Sequence, residues 1–158
     1  MSAWPEAFDD LLAELRAHRA SLVLADGAGL RDAPATEALA ERVERVSLGM
    51  TLAGMAAPPS PAELAAAVSR DGPSLLVDID AMFTPALAIE VLPFLRGLGR
   101  RQPTIVLWPG NISATRLTYS RPGAVDHFDE AARDLIVLRP VEARFPDEVP
   151  YLLERFPN

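Results

Sequence analysis

Four short apolar runs that do not alternate with polar residues constrain this chain more than any other feature: "SLVLA", "SLLVDIDAMF", "PTIVLW" and "DLIVL". A strand with one wet face alternates apolar and polar side chains, because successive side chains point to opposite faces. Runs without alternation suit strands buried on both faces, as in a parallel sheet with helices on either side. Helical patterns lie between the runs. Phe8, Leu11, Leu12 and Leu15 recur at helical spacing, as do Leu39, Val43 and Val46 after Pro34. Ser60, Pro61 and Glu63 match an N-cap, a first helical position and a capping-box partner, which predicts a helix over 61–69. "TPALAIEVLPFLRGLGRR" opens on a Thr cap and a Pro. Pro93 inside it predicts a kink, or two short helices meeting near Leu92. "VSLGMTLAGM" reads either as a second strand or as a loop with apolar contacts. Residues 111–133 read as polar and irregular, and "FPDEVPYLLERF" as a short C-terminal helix.

The chain has 158 residues, enough for one domain with a substantial core. Its 49% hydrophobic and 23% charged residues are typical of a soluble globular protein. Without Cys, it has no disulfide, no Cys-ligated zinc and no thiol catalysis. All 15 basic residues are Arg, so no Lys Schiff base, Lys general base or phosphate-loop Lys can come from it. The net charge of -7 argues against a protein whose main task is to neutralise a phosphate backbone. The charge is uneven: residues 1–95 hold 6 Arg and 14 acids, giving -8, while 96–158 hold 9 Arg and 8 acids, giving +1. "MSAWPEAFDDLLAELRAHRA" is amphipathic and charged, unlike a signal peptide or a membrane span, so the expected location is the cytoplasm.

In parallel-sheet folds, ligands gather at the carboxyl ends of the strands. After Ala25, Gly27 and Gly29 make a turn where a nucleotide-binding protein keeps its phosphate loop. The working loop, G-x-x-x-x-G-K-[ST], needs a Lys and a Ser/Thr, but Leu30, Arg31 and Asp32 follow here. After Val77, Asp78 and Asp80 read either as a metal-binding or water-orienting pair, or as acids that cap the next turn or pair with Arg. After Trp108, the loop carries Asn111, Arg116, Tyr119 and Arg121. Asn111 falls where AAA+ ATPases often place a polar sensor. Trp108, Tyr119 and the two Arg suit either a stacking and recognition surface or a loop folded onto the domain. Arg96, Arg100 and Arg101 in "RGLGRR" form the best basic patch, although Arg at a helix end also complements the helix dipole. His18 and His127 are the only imidazoles, and no nucleophile motif accompanies either.

The stretch from about Ser74 to Leu138 resembles BrxF, the small P-loop-containing protein of type 3 BREX phage-resistance systems. The resemblance rests on "LLVDIDAMFTPAL", "PFLRGLGR", "TIVLWPG", "LTYSRPG" and "DLIVL" in that order. "VLPFLR", "IVLWPG" and "LTY" are also similar to BrxB, another small BREX component. The resemblance implies an α/β, three-layer P-loop NTPase-like domain with a mostly parallel central sheet of about five strands. It also implies a role beside a large ATPase, a DNA methyltransferase and a PglZ-type protein. Gly27 and Gly29 would be a vestigial Walker-A loop, and Asp78 and Asp80 a vestigial Walker B. Without the Lys, phosphate charge is unopposed, and Asp32 adds repulsion of about 1 kcal/mol or more.

The expectation is thus a non-catalytic adaptor with no cofactor and no metal. It acts through protein contacts with a BREX-type ATPase or PglZ-like protein, away from membranes, with self-association left open. The alternative is a nucleotide-binding or ATPase regulator in which Arg31 replaces Lys, although the planar Arg fork is a poor substitute. Direct nucleic-acid binding through Arg96, Arg100, Arg101 and the 116–121 loop is the third reading, and the overall acidity opposes it.

Overall fold

A computed structural model describes residues 9–10, 12–13, 22–26, 43–113, 116–131, 133, 135–140 and 151–155. The main sheet has six strands. They are β1 (Leu22–Asp26), β2 (Glu44–Ser47), β3 (Ser74–Val77), β4 (Thr104–Trp108), β8 (Ile136–Pro140) and β9 (Tyr151–Arg155), in the order β2-β3-β4-β1-β8-β9. Pairing is parallel from β2 across to β8, and antiparallel between β8 and β9. A second sheet holds β5 (Asn111–Ser113), β6 (Arg116–Tyr119) and β7 (Phe128–Ala131), all antiparallel. Three α-helices have both ends among the described residues, α1 (Leu48–Ala53), α2 (Pro61–Val68) and α3 (Val91–Arg101), and residues 9–10 and 12–13 are helical as well.

This architecture corrects the expected three-layer P-loop NTPase-like domain with one mostly parallel sheet of about five strands. The sheet is mixed and six-stranded, and a separate antiparallel sheet stands beside it. Within 111–133, expected to be irregular, Asn111–Ser113, Arg116–Tyr119 and Phe128–Ala131 build that second sheet. Ile112 is buried between two exposed neighbours and Leu117 between exposed Arg116 and half-buried Thr118, the alternation of a sheet with one wet face. The tail reading fails for Tyr151–Arg155, which pairs with β8 as a strand where a helix was expected. Val46 belongs to β2 and Val43 lies at a bend before it, so neither takes part in the expected helix, and Leu39 lies outside the described residues.

Register explains the core. Val46, Leu76, Val106, Leu24 and Val137 align as one row across five strands, and each is at most 3% exposed. They join Leu64 and Val68 of α2 and Leu95 and Leu98 of α3 in one buried cluster. Each such side chain contributes roughly 1.5–3 kcal/mol by leaving water. Leu75 and Ile105, on the opposite face, are equally buried, which is why these strands do not alternate.

Local signals set the helix ends. The Ser60 hydroxyl accepts from Glu63 N and the Glu63 carboxylate from Ser60 N, a complete capping box with Pro61 in the first turn. Pro93 does not kink its helix. Because α3 begins at Val91, Pro93 sits in the first turn, where its missing N–H has no helical acceptor to lose. The segment before it forms two short 3-10 turns, Ile79–Phe83 and Pro85–Leu87.

Candidate functional site

The carboxyl ends of β2 and β3 are tied together by side chains. Ser47 leaves β2 with its hydroxyl accepting from Met50 N at 3.2 Å, which starts α1. The same hydroxyl donates to Asp78 Oδ2 at 2.6 Å, just beyond β3. Asp78 has φ 57°, a left-handed conformation that Asp tolerates better than most residues, and it turns the chain sharply off the strand. The pair Asp78 and Asp80 therefore does not share an extended strand. Asp78 is engaged by Ser47, while Asp80 is exposed on the first 3-10 turn. Among the described residues, no group of three or more acids or imidazoles is placed to hold a metal ion.

The second sheet covers the end of β4 through its rings. Trp108 is fully buried, and its indole Nε1 donates to Thr118 O at 3.1 Å. Tyr119 stacks on Phe83 with centroids 4.4 Å apart, and Phe128 lies 5.2 Å from Phe83 and 5.4 Å from Trp108. Trp108, Phe83, Tyr119 and Phe128 thus form one packed ring cluster, in which Trp108 is fully buried and Tyr119 partly exposed. Burial first, then repulsion from Asp80 and Asp126, pushes the Tyr119 phenol above its ordinary value. Gly110 makes the close approach possible, since a Cβ there would run into the Thr118 carbonyl.

The structure divides the Arg candidates. Arg100 and Arg101 end α3 at the amino end of β4, and residues 116–121 follow its carboxyl end, so a five-residue strand, about 15 Å of chain, separates the two groups. Arg96, in the middle of α3, instead reaches past Ala131, the register partner of Arg116. Arg96 donates to Arg133 O at 2.7 Å, and Arg116 pairs with Asp129 at 2.7 Å. Asn111 and Arg121 are exposed, as is His127 in the loop before β7. Gly27, Gly29, Arg31, Asp32 and His18 lie outside the described residues.

An apolar groove of about 380 Å³ opens beyond the carboxyl end of α1. The end of α1 with the Ala56–Pro59 run forms one wall, and the two 3-10 turns form the other. Thr84 is the one polar side chain in its lining. Met50, on the exposed side of α1, is 78% exposed. Sequence reading missed this feature: "LAGMAAPPS" has no helical or strand period, and its Ala and Pro residues carry no chemistry of their own. No protein-family profile matches this chain, and no curated protein or solved structure matches it either.

Proposed function

We propose that this protein is a non-catalytic adaptor that acts through protein contacts in a BREX-type bacterial phage-defence system. The observation that carries the adaptor role is the open apolar groove at the carboxyl end of the sheet. Thr84 is the one polar side chain in its lining, and Met50 of α1 is left in water. Contiguous exposed apolar surface of this kind marks interaction sites. The defence setting rests on the ordered motifs between Ser74 and Leu138, and it names a cytoplasmic BREX-type ATPase or PglZ-like protein as partner. Among the described residues, no helix is long and apolar enough to cross a membrane.

The test is co-purification from the native operon, using the full chain and an Ala86→Arg variant that fills the groove. Retention of a defence protein by the wild type is the expected result, and recovery of the chain alone from an intact operon counts against the adaptor role. Calorimetry with ATP and Mg²⁺ should give no binding heat, because the chain has no Lys to oppose the β/γ-phosphates. Micromolar binding would favour the nucleotide-regulator reading.

A further inference from the structure

Independently of the adaptor role, we propose that a second pocket, between β7 and the start of α3, binds an alkylammonium group, an ammonium head on a short apolar stem. The pocket holds about 220 Å³, and Met82, Phe83, Ile89 and Phe128 supply its apolar surface. Glu90 and Glu130 line it as well, and no Arg does. Sites for drug-sized ligands run to roughly 300–1,000 Å³, so this one suits a single side chain or a small molecule.

The two carboxylates come from different elements and neither is engaged. Glu130 stands opposite Leu117 in the register and two residues after Phe128. It therefore shares the sheet face that buries Leu117 completely and packs Phe128 against Phe83 and Trp108. Glu90 is the N-cap of α3, yet its side chain makes no cap hydrogen bond. Among the described residues, no ion pair or side-chain hydrogen bond holds either carboxylate. An inward acid on an edge strand discourages pairing with another chain, and an acid at a helix start complements the helix dipole. Those local roles account for each acid singly. They do not account for two unpaired charges on one apolar pocket.

The lining favours an organic cation over a metal ion. Glu90, Glu130 and His127 all border the pocket, but among the described residues no group of three acids or imidazoles is placed to hold a metal. A bare ion would also leave the apolar surface wet, whereas an alkyl stem covers it while the charged head meets the carboxylates. A compact ammonium can serve two carboxylates on separate elements, where the planar guanidinium fork matches a single one. The ammonium comes from another molecule, because this chain has no Lys. Arg96 and Arg116, on the elements nearby, are engaged by Arg133 O and Asp129. An anion would meet two like charges.

The experiment titrates the intact protein, with isotope-labelled Met and Ile methyl groups, with butylammonium, butyrate and butanol. Low salt and mildly alkaline pH keep the carboxylates unscreened and an ordinary imidazole neutral. Butylammonium is expected to move the Met82 and Ile89 methyl signals saturably and to leave Met55, in the other groove, unmoved. Butyrate and butanol should bind at least about tenfold more weakly. Glu90→Gln and Glu130→Gln, both at exposed positions, should each weaken butylammonium about threefold, and together at least about tenfold, with the near-UV dichroism of Trp108 unchanged. Equal binding of the three probes, a Met55 response as large as that of Met82, or wild-type affinity in the double variant overturns the proposal. A lysine blocked as an amide at both ends separates the two sources of the cation. Binding as tight as that of butylammonium assigns the site to a Lys side chain of another protein, and binding of the free amine alone assigns it to a small molecule. Co-purification tests the adaptor role separately, so the two readings stand or fall independently.

Discussion

Ser47 and Asp78, 31 residues apart in sequence, meet at 2.6 Å and join the carboxyl ends of β2 and β3. One hydroxyl thus caps α1 and holds the turn that leads into the opposite wall of the groove. Its removal should loosen both walls at once. Ser47→Ala is expected to cost about 1–2 kcal/mol, the sum of a lost cap and a lost hydrogen bond at a partly exposed site. Asp78→Asn keeps an acceptor and tolerates φ 57°, so it should stay within about 0.5 kcal/mol of the wild type. Asp78→Val loses the acceptor and places a β-branched side chain in the left-handed region, for at least about 2 kcal/mol. Urea unfolding measures all three, and an unchanged midpoint for Ser47→Ala would remove the link from the account.

Gly110 is where β4 hands over to the second sheet. A methyl group there overlaps the Thr118 carbonyl, and the obstacle is backbone, which cannot rotate away. Gly110→Ala should therefore lift β6 off Trp108 and destabilise the protein by about 3 kcal/mol or more. Trp108 fluorescence would shift towards that of a wet indole as its bond to Thr118 O breaks. A buried Trp108 spectrum with full stability would contradict this geometry.

The phenol of Tyr119 links Asp80 and Asp126 to stability at high pH. Its raised proton affinity in the fold comes first from burial, then from Asp80 and Asp126. Between the unfolded value of 10.0 and the higher folded value, the unfolded chain has lost this proton while the native protein keeps it. Stability is complete below pH 10 and falls as pH rises through that window. Tyr119→Phe should flatten the decline above pH 10, and Asp80→Asn should bring the phenolate absorbance transition down. An alkaline stability curve identical in wild type and Tyr119→Phe would reject the linkage.

Legibility tracked the range of the interactions. The Ser60–Glu63 capping box is local, so its residues state it outright, and unalternating runs such as "TIVLW" show strands buried on both faces. The second sheet was hidden because β5 has three residues and β7 reads "FDEA", too short and polar to suggest a strand. It exists because Trp108, Phe83, Tyr119 and Phe128 meet across distant parts of the chain. The same holds for the site. Asp78 was visible as an acid at a strand end, but its partner Ser47 and the left-handed turn were not. Pro93 misled because its effect depends on where the helix starts, and Val91 places it in the first turn.

Gln102 does at the amino end of the sheet what Ser47 does at the other. It is 5% exposed and ends α3. Its Oε1 accepts from Arg70 N, which follows α2, and its Nε2 donates to Ser74 Oγ at 2.8 Å, at the start of β3. Gln102→Leu keeps the bulk of the side chain and leaves a buried hydroxyl and an amide without these partners. The expected cost is about 2–4 kcal/mol. Packing and hydrogen bonding are separated by adding Ser74→Ala. If the bond carries the effect, Ser74→Ala costs clearly less in the Gln102→Leu background than in the wild type, with coupling of about 1 kcal/mol. Strict additivity would mean that the bond from Gln102 Nε2 to Ser74 Oγ carries none of the effect, leaving it to packing and to the bond with Arg70 N.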